Sequence, residues 1–138
     1  MRLSKPNAWV DATKLSTGIS LCNDPDVPNR IIFKNYLQTG SAGFMQVDAA
    51  RVGGVSEFIT ISLLCRKYGI PVVPHVGDMG QLHQHLVLFN HITMGHEALF
   101  LEHIPHLQKH FVHPVTIEGG VYKTPMEPGS SCDLKSLN

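Results

Sequence analysis

The stretch GFMQVDAARVGGVSEFITISLLCRKYGIPVVPH, residues 43–75, decides the fold. It opens on the apolar run GFMQVD (Gly43 to Asp48), turns through RVGG and enters VSEFITISLLCRKYG. There Val55, Phe58, Ile59, Ile61, Leu63 and Leu64 recur at mostly helical spacing, Lys67 lies near the end, and Gly69 stands where a C-terminal cap belongs. IPVVPH (Ile70 to His75) is a second apolar run, in which Pro71 is tolerated only because it lies near the start. Strand, helix, strand is the pattern of two parallel strands joined by a right-handed crossover.

The alternation extends both ways. Upstream, GISLC (Gly18 to Cys22) reads as a buried strand, NDPDVPN as a loop and RIIFKNYLQTG as a helix ending at Gly40. Downstream, MGQLHQHLVLFN reads as a shorter helix, HITMG (His91 to Gly95) as a fourth strand, and ALFLEHIPHLQKHF as partly helical. The tail changes character: Glu118-Gly119-Gly120 between two β-rich runs predicts a hairpin, and Pro125 to Ser131 a turn-rich end. This divides the chain into an N-terminal segment of undefined structure (1–17), an α/β part (18–113) and a hairpin tail (114–138). Periodicity alone fits either a small open doubly wound sheet or part of a (β/α) barrel.

Composition narrows the class. Apolar residues make up 43% and charged residues 16%, the balance of a globular domain. Eleven acids against eleven bases leave no electrostatic footprint for nucleic acid or a membrane surface. No apolar run approaches the roughly 20 residues that cross a bilayer. Cys22, Cys65 and Cys132 are odd in number and far apart, which points to reduced thiols in an intracellular, cytoplasmic protein. The basic and hydroxyl-bearing start MRLSKPNAWVDATK, despite Asp11, leaves a mitochondrial transit peptide as the alternative.

In parallel α/β folds the functional side chains gather at the C-terminal ends of strands. Here those positions hold Asp24, Asp26, Asp48, His75 with Asp78, and the region of His96 and Glu97. Asp48 and His75 each end an apolar strand in consecutive units, and adjacent strands lie about 4.8 Å apart. A carboxylate on one imidazole nitrogen fixes the tautomer and frees the other nitrogen for proton transfer. The plainer alternative is that Asp48 caps the next segment and His75 meets a loop carbonyl.

The remaining histidines are weaker candidates. His83 and His85 on a helix point about 200° apart and cannot chelate one ion. His103, His106 and His110 share a helical face, but Pro105 interrupts the segment, so no metal is assigned to them. Gly53-Gly54 lacks the third glycine of a dinucleotide loop, and Cys65 sits on an apolar helix face as a core thiol.

The stretches VPNRIIFKNYLQ, FMQVDAARVGGVSE, KYGIPVVPHVG, QHLVLF and HLQKHFVHPV resemble the last part of L-fuconate-type acid-sugar dehydratases, in the mandelate racemase branch of the enolase superfamily. The specific element is Q-x-D-x-x-R-x-G-G-V followed by P-H-x-G. The resemblance implies the C-terminal half of a modified (β/α) TIM-type barrel plus a hairpin tail, with GISLC, GFMQVD, IPVVPH and HITMG as strands five to eight. It makes His75 the catalytic histidine, Asp48 its partner, and Glu102 the late acid that helps bind the enediolate oxygen. It also implies Mg²⁺ and a sugar-acid substrate in intact relatives.

The departures carry equal weight. Where the family has Gly-Glu-His with a metal-binding glutamate, this chain has Asp24-Pro25-Asp26, and the lysine and carboxylates of the earlier strands have no counterpart. Either aspartate is a candidate replacement, one residue away and, being an aspartate, one methylene short. The chain by itself is expected to bind Mg²⁺ no better than an ordinary acidic surface and not to catalyse alone. Four strands also leave open edges, and Ile19, Met45, Val47 and Val73 are expected to need a partner surface, from a homo-oligomer or a partner chain. The rival function is a non-catalytic interaction protein derived from the same family.

Overall fold

The computed structural model describes residues 21–22, 29–40, 42–75, 81–96, 100–103 and 105–136. Strand β1 (Leu21–Cys22) pairs in parallel with β2 (Phe44–Met45), Leu21 opposite Phe44. Residues 71–75 continue the sheet on the other side of β2. Met45 N–H donates to the Pro71 carbonyl at 3.0 Å, Val73 N–H to the Met45 carbonyl at 2.9 Å, and His75 N–H to the Val47 carbonyl at 3.0 Å. The three segments are parallel and adjacent in chain order, as two successive strand–helix–strand units require.

The crossovers are helices with identifiable ends. Helix α1 (Arg30–Thr39) starts at Asn29, whose side chain accepts from the Ile31 N–H at 3.0 Å, and stops at Gly40 with φ 62°. Its buried residues, Phe33 and Leu37, lie one turn apart on the face turned to the core. Helix α2 (Val55–Lys67) buries Phe58, Ile61, Ser62 and Cys65. It ends in a Schellman motif: Ile70 N–H reaches the Cys65 carbonyl at 2.9 Å, Gly69 N–H reaches that of Arg66 at 3.1 Å, and Gly69 takes φ 69°. The two helices are tied by Glu57, which pairs with the Arg30 guanidinium at 3.0 Å and accepts from the Arg30 N–H at 2.6 Å.

Helix α3 (Leu82–Met94) corrects the strand expected at HITMG. His91 to Met94 form its last turn, and Gly95, at φ 67°, stops it. Ile92 and Thr93 favour a strand only locally. Leu86, Val87, Asn90 and Met94 are all buried at helical spacing, so the tertiary contacts of the helix override that preference. An eighth strand at this position does not exist. Helix α4 is a single turn (Pro105–Gln108), so His103 and His110 lie outside it and the three histidines share no helical face.

The hairpin forms as expected, β3 (Ile117–Glu118) against β4 (Val121–Tyr122). Gly119 and Gly120 both take positive φ, 59° and 79°, the backbone of a two-residue turn whose twist matches the strands. The tail is also tied down, with Val112 N–H donating to the Asp133 carbonyl and Lys135 N–H to that of His110, both at 2.8 Å.

The core lies between the sheet and the helices: Met45, Val47 and Val72 from the strands meet Phe33, Leu37, Phe58, Ile61, Cys65 and Leu86. Met45 and Val47 are 0% exposed and need no partner surface, contrary to expectation. Side chains alternate along a strand, and these two point outward onto the chain's own helices; Val73, on the opposite face, is half-buried. Ile19, Asp24, Pro25, Asp26, Asp78, Glu97 and the segment 1–17 lie outside the described residues. Among the described residues no helix is long and apolar enough to cross a membrane.

Candidate active site at the strand ends

Asp48 leaves β2 into a loop that folds back on it. The Arg51 and Val52 N–H groups donate to its carbonyl, and the Ala50 N–H donates to its Oδ1 at 2.9 Å, an Asx-turn. Gly53 and Gly54, at φ 92° and 111°, let the chain re-enter α2 directly, and Gly54 N–H bonds the Ala49 carbonyl at 2.9 Å. The double glycine therefore has a backbone task, and the carboxylate is aimed by its own loop.

His75 meets that carboxylate. Its Nδ1 lies 3.0 Å from Asp48 Oδ2, a bond that follows from the parallel register placing His75 N–H on the Val47 carbonyl. Arg51 Nε stands 3.2 Å from the same oxygen. The far side of the ring faces Glu102, with Nε2 3.5 Å from Oε2. Glu102 is held from behind, because the Tyr122 hydroxyl on the hairpin donates to its carbonyl at 2.8 Å, and Gln46 Nε2 stands 3.5 Å from its Oε2. Burial, then the negative charge of Glu102, push the Tyr122 phenol up to about 12, so it remains a donor. Asp48, His75 and Glu102 thus come together at one end of the sheet.

A second histidine was not foreseen in this role. His83, from the first turn of α3, is 0% exposed; its Nε2 lies 3.0 Å from the Ala49 N–H and 3.4 Å from Asp48 Oδ1. The sequence offers no signal for this beyond its place one turn into the helix that follows the His75 strand. His85 is on another side of the helix, and His96 Nε2 meets the Ser62 carbonyl at 3.3 Å, a structural bond.

Burial pushes the Asp48 carboxyl up, but the hydrogen bonds it accepts, from the Ala50 N–H and from His75, outweigh it and hold the group below its ordinary 3.8. A carboxyl lowered on folding stabilises the folded state above its unfolded value, and that contribution is lost as pH falls through the folded value. The stability deficit of Asp48→Asn is therefore expected to be full near neutrality and to shrink below about pH 4. Melting curves of both proteins from about pH 7 to pH 2 check this; a deficit constant over the whole range refutes it.

Asp24 and Asp26, the carboxylates at the place of the family's metal ligand, lie outside the described residues. Among the described residues no group of three or more His, Cys, Asp or Glu side chains could hold a metal ion. The oxygens of Asp48 already face N–H donors and a guanidinium, which leaves little room for a hard cation.

The described residues thus bring a carboxylate-oriented histidine and a second carboxylate on its other nitrogen to one end of a parallel sheet, on part of a (β/α) barrel. The chain belongs to the Enolase C-terminal domain-like family, whose profile matches residues 6–137. It is 38% identical over 120 residues to L-galactonate dehydratase of Hypocrea jecorina, covering 86% of this chain and 27% of that protein. Against mitochondrial enolase superfamily member 1 of Homo sapiens it is 35% identical over 133 residues, 94% of this chain and 30% of the relative. The crystal structure of that human protein superposes with a TM-score of 0.72 at 39% identity, over 78% of this chain and 25% of that one. An L-talarate/galactarate dehydratase from Salmonella typhimurium, solved with Mg and L-lyxarohydroxamate, gives 0.64 at 25% identity, over 78% of this chain and 26% of that one. The chain spans less than a third of the length of the curated relatives named here.

Proposed function

We propose that this chain carries the proton-transfer part of an acid-sugar dehydratase and is inactive without the rest of a barrel. The observation that carries the reading is the 3.0 Å contact of His75 Nδ1 with Asp48 Oδ2, which leaves Nε2 open on the Glu102 side. Asp48 accepts the Nδ1 proton, so the lone pair of Nε2 is the base for the proton on the carbon next to a sugar-acid carboxylate. The imidazolium, its charge held by Asp48, then protonates the departing β-hydroxyl as water. Glu102 stands beside that nitrogen, where it can help bind the enediolate oxygen. The proposal extends to His75, Asp48 and Glu102 as catalytic residues, and to an aldonic or aldaric acid as substrate. Magnesium is the named companion of the Salmonella relative; the described residues here do not hold it, and no step above passes through it.

The sheet of the described residues closes the site on one side only, so the other side falls to the upstream part of a longer protein, a second copy or a partner chain. The test is a chimera in which residues 30–138 replace the matching part of the Hypocrea jecorina L-galactonate dehydratase. The chimera is expected to dehydrate L-galactonate and the isolated chain to leave it unchanged, read as formation of the 2-keto product. Turnover by the isolated chain, or none by a folded chimera, counts against the reading. Asp24-Pro25-Asp26 at the place of the family's metal-binding glutamate favours a second reading, a non-catalytic interaction protein, and a folded but inert chimera is the result that supports it.

A further inference from the structure

Helix α3 buries a histidine whose ring reaches the loop behind the dyad, and nothing in the proposed proton transfer uses it. His83 is 0% exposed, and its ring lies 6.3 Å from that of Phe58 at 60°, so its plane is set by core packing. Its Nε2 faces two groups, the Ala49 N–H at 3.0 Å and Asp48 Oδ1 at 3.4 Å. One nitrogen cannot accept from the first and donate to the second. The shorter contact decides: Nε2 is the acceptor, and the ring proton lies on Nδ1. That Nδ1 is buried and has no hydrogen-bond partner among the described residues. A buried polar atom without a partner costs about 1–3 kcal/mol, so filling space alone does not account for a histidine here; what its ring offers that an apolar side chain does not is an acceptor for the Ala49 N–H.

We propose that His83 is a positioning residue for the Asp48–His75 dyad, acting through the Ala49 N–H. The peptide between Asp48 and Ala49 is the one that sets where the carboxylate points. With Ala49 N–H fixed by His83, Ala50 N–H is left to hold Oδ1 at 2.9 Å, and Oδ2 is turned to His75 Nδ1 at 3.0 Å. Remove the acceptor, and the Ala49 N–H becomes a buried donor that must turn elsewhere, taking the carboxylate with it. The groups facing the His83 ring are thus Asp48 and the Ala49 amide from the β2 loop and Phe58 from α2. The inference rests on the dyad reading above but not on turnover.

The test is nitrogen NMR of the full 138-residue chain, reading the His75 tautomer and the exchange rate of the Ala49 amide. In the native chain His75 is expected in the Nδ1–H form. His83→Gln carries an acceptor at the reach of Nε2 and keeps that form. His83→Asn is a methylene shorter and His83→Leu has no acceptor. In both, the single tautomer is expected to give way to the mixture of a free imidazole, and the Ala49 amide to exchange about tenfold faster. The Gln and Asn pair carries the test should His83→Leu fail to fold. Retention of the Nδ1–H form in the Asn variant, or its loss in the Gln variant, overturns the proposal while the dyad stands. A native chain without the Nδ1–H form, or an Asp48→Asn variant that keeps it, overturns the dyad reading and this inference with it.

Discussion

His75→Asn in the chimera should lower kcat by about 10²–10⁴-fold, the usual contribution of a positioned general base. Asparagine is the informative replacement, because its amide nitrogen falls near the place of Nδ1. It can keep the bond to Asp48 Oδ2, 3.0 Å from that nitrogen in the native side chain, while leaving nothing at the place of Nε2. The dyad's orienting contact then survives and its base does not. KM is expected to change little, since the lost group acts on the reacting proton and not on the rest of the sugar acid. A loss below tenfold would mean that another group takes the proton, with Glu102, 3.5 Å from the same nitrogen, the next to substitute.

The largest effect on stability is expected from Phe58→Ala. Phe58 is 0% exposed and lies in the cluster formed by the outward faces of the strands and the inner faces of the helices. Truncating a buried phenylalanine costs about 3–5 kcal/mol, from lost transfer energy and the cavity left behind. Against the 5–15 kcal/mol typical of a domain, that should lower Tm by roughly 10–20 °C. His83 would lose its packing neighbour as well. Leu63→Ala is the control: it is on the same helix but 52% exposed, and should stay within about 0.5 kcal/mol. Urea unfolding of both variants separates them, and equal midpoints would mean that the core is not where the structure puts it.

Much of this arrangement was legible in the residues. The two helices over Arg30–Thr39 and Val55–Lys67 end where Gly40 and Gly69 say they must, because only a residue without a Cβ takes positive φ cheaply. The hairpin follows from Gly119-Gly120 for the same reason. Asp48 and His75 could be paired from sequence, since both are the last residues of apolar runs separated by one helix, and parallel strands in register bring such ends together. The His91 to Gly95 strand was misread, because β-branched residues report local preference while the last turn of a helix is held by what Met94 and Asn90 bury.

The sequence by itself determined the parallel α/β order, the ends of the first two helices and the hairpin turn, all set by patterns within a few residues or by one crossover, and it marked Asp48 and His75 as candidates for a pair. Only the tertiary structure decided which face of β2 is outward, so that Met45 and Val47 meet the chain's own helices. It alone brought Glu102, held by Tyr122, to within 3.5 Å of His75, and His83 to the amide behind Asp48. These contacts join residues 20 to 34 positions apart through loops of no fixed pattern. No local periodicity encodes such distances; they exist because packing the helices on the sheet leaves those side chains no other place.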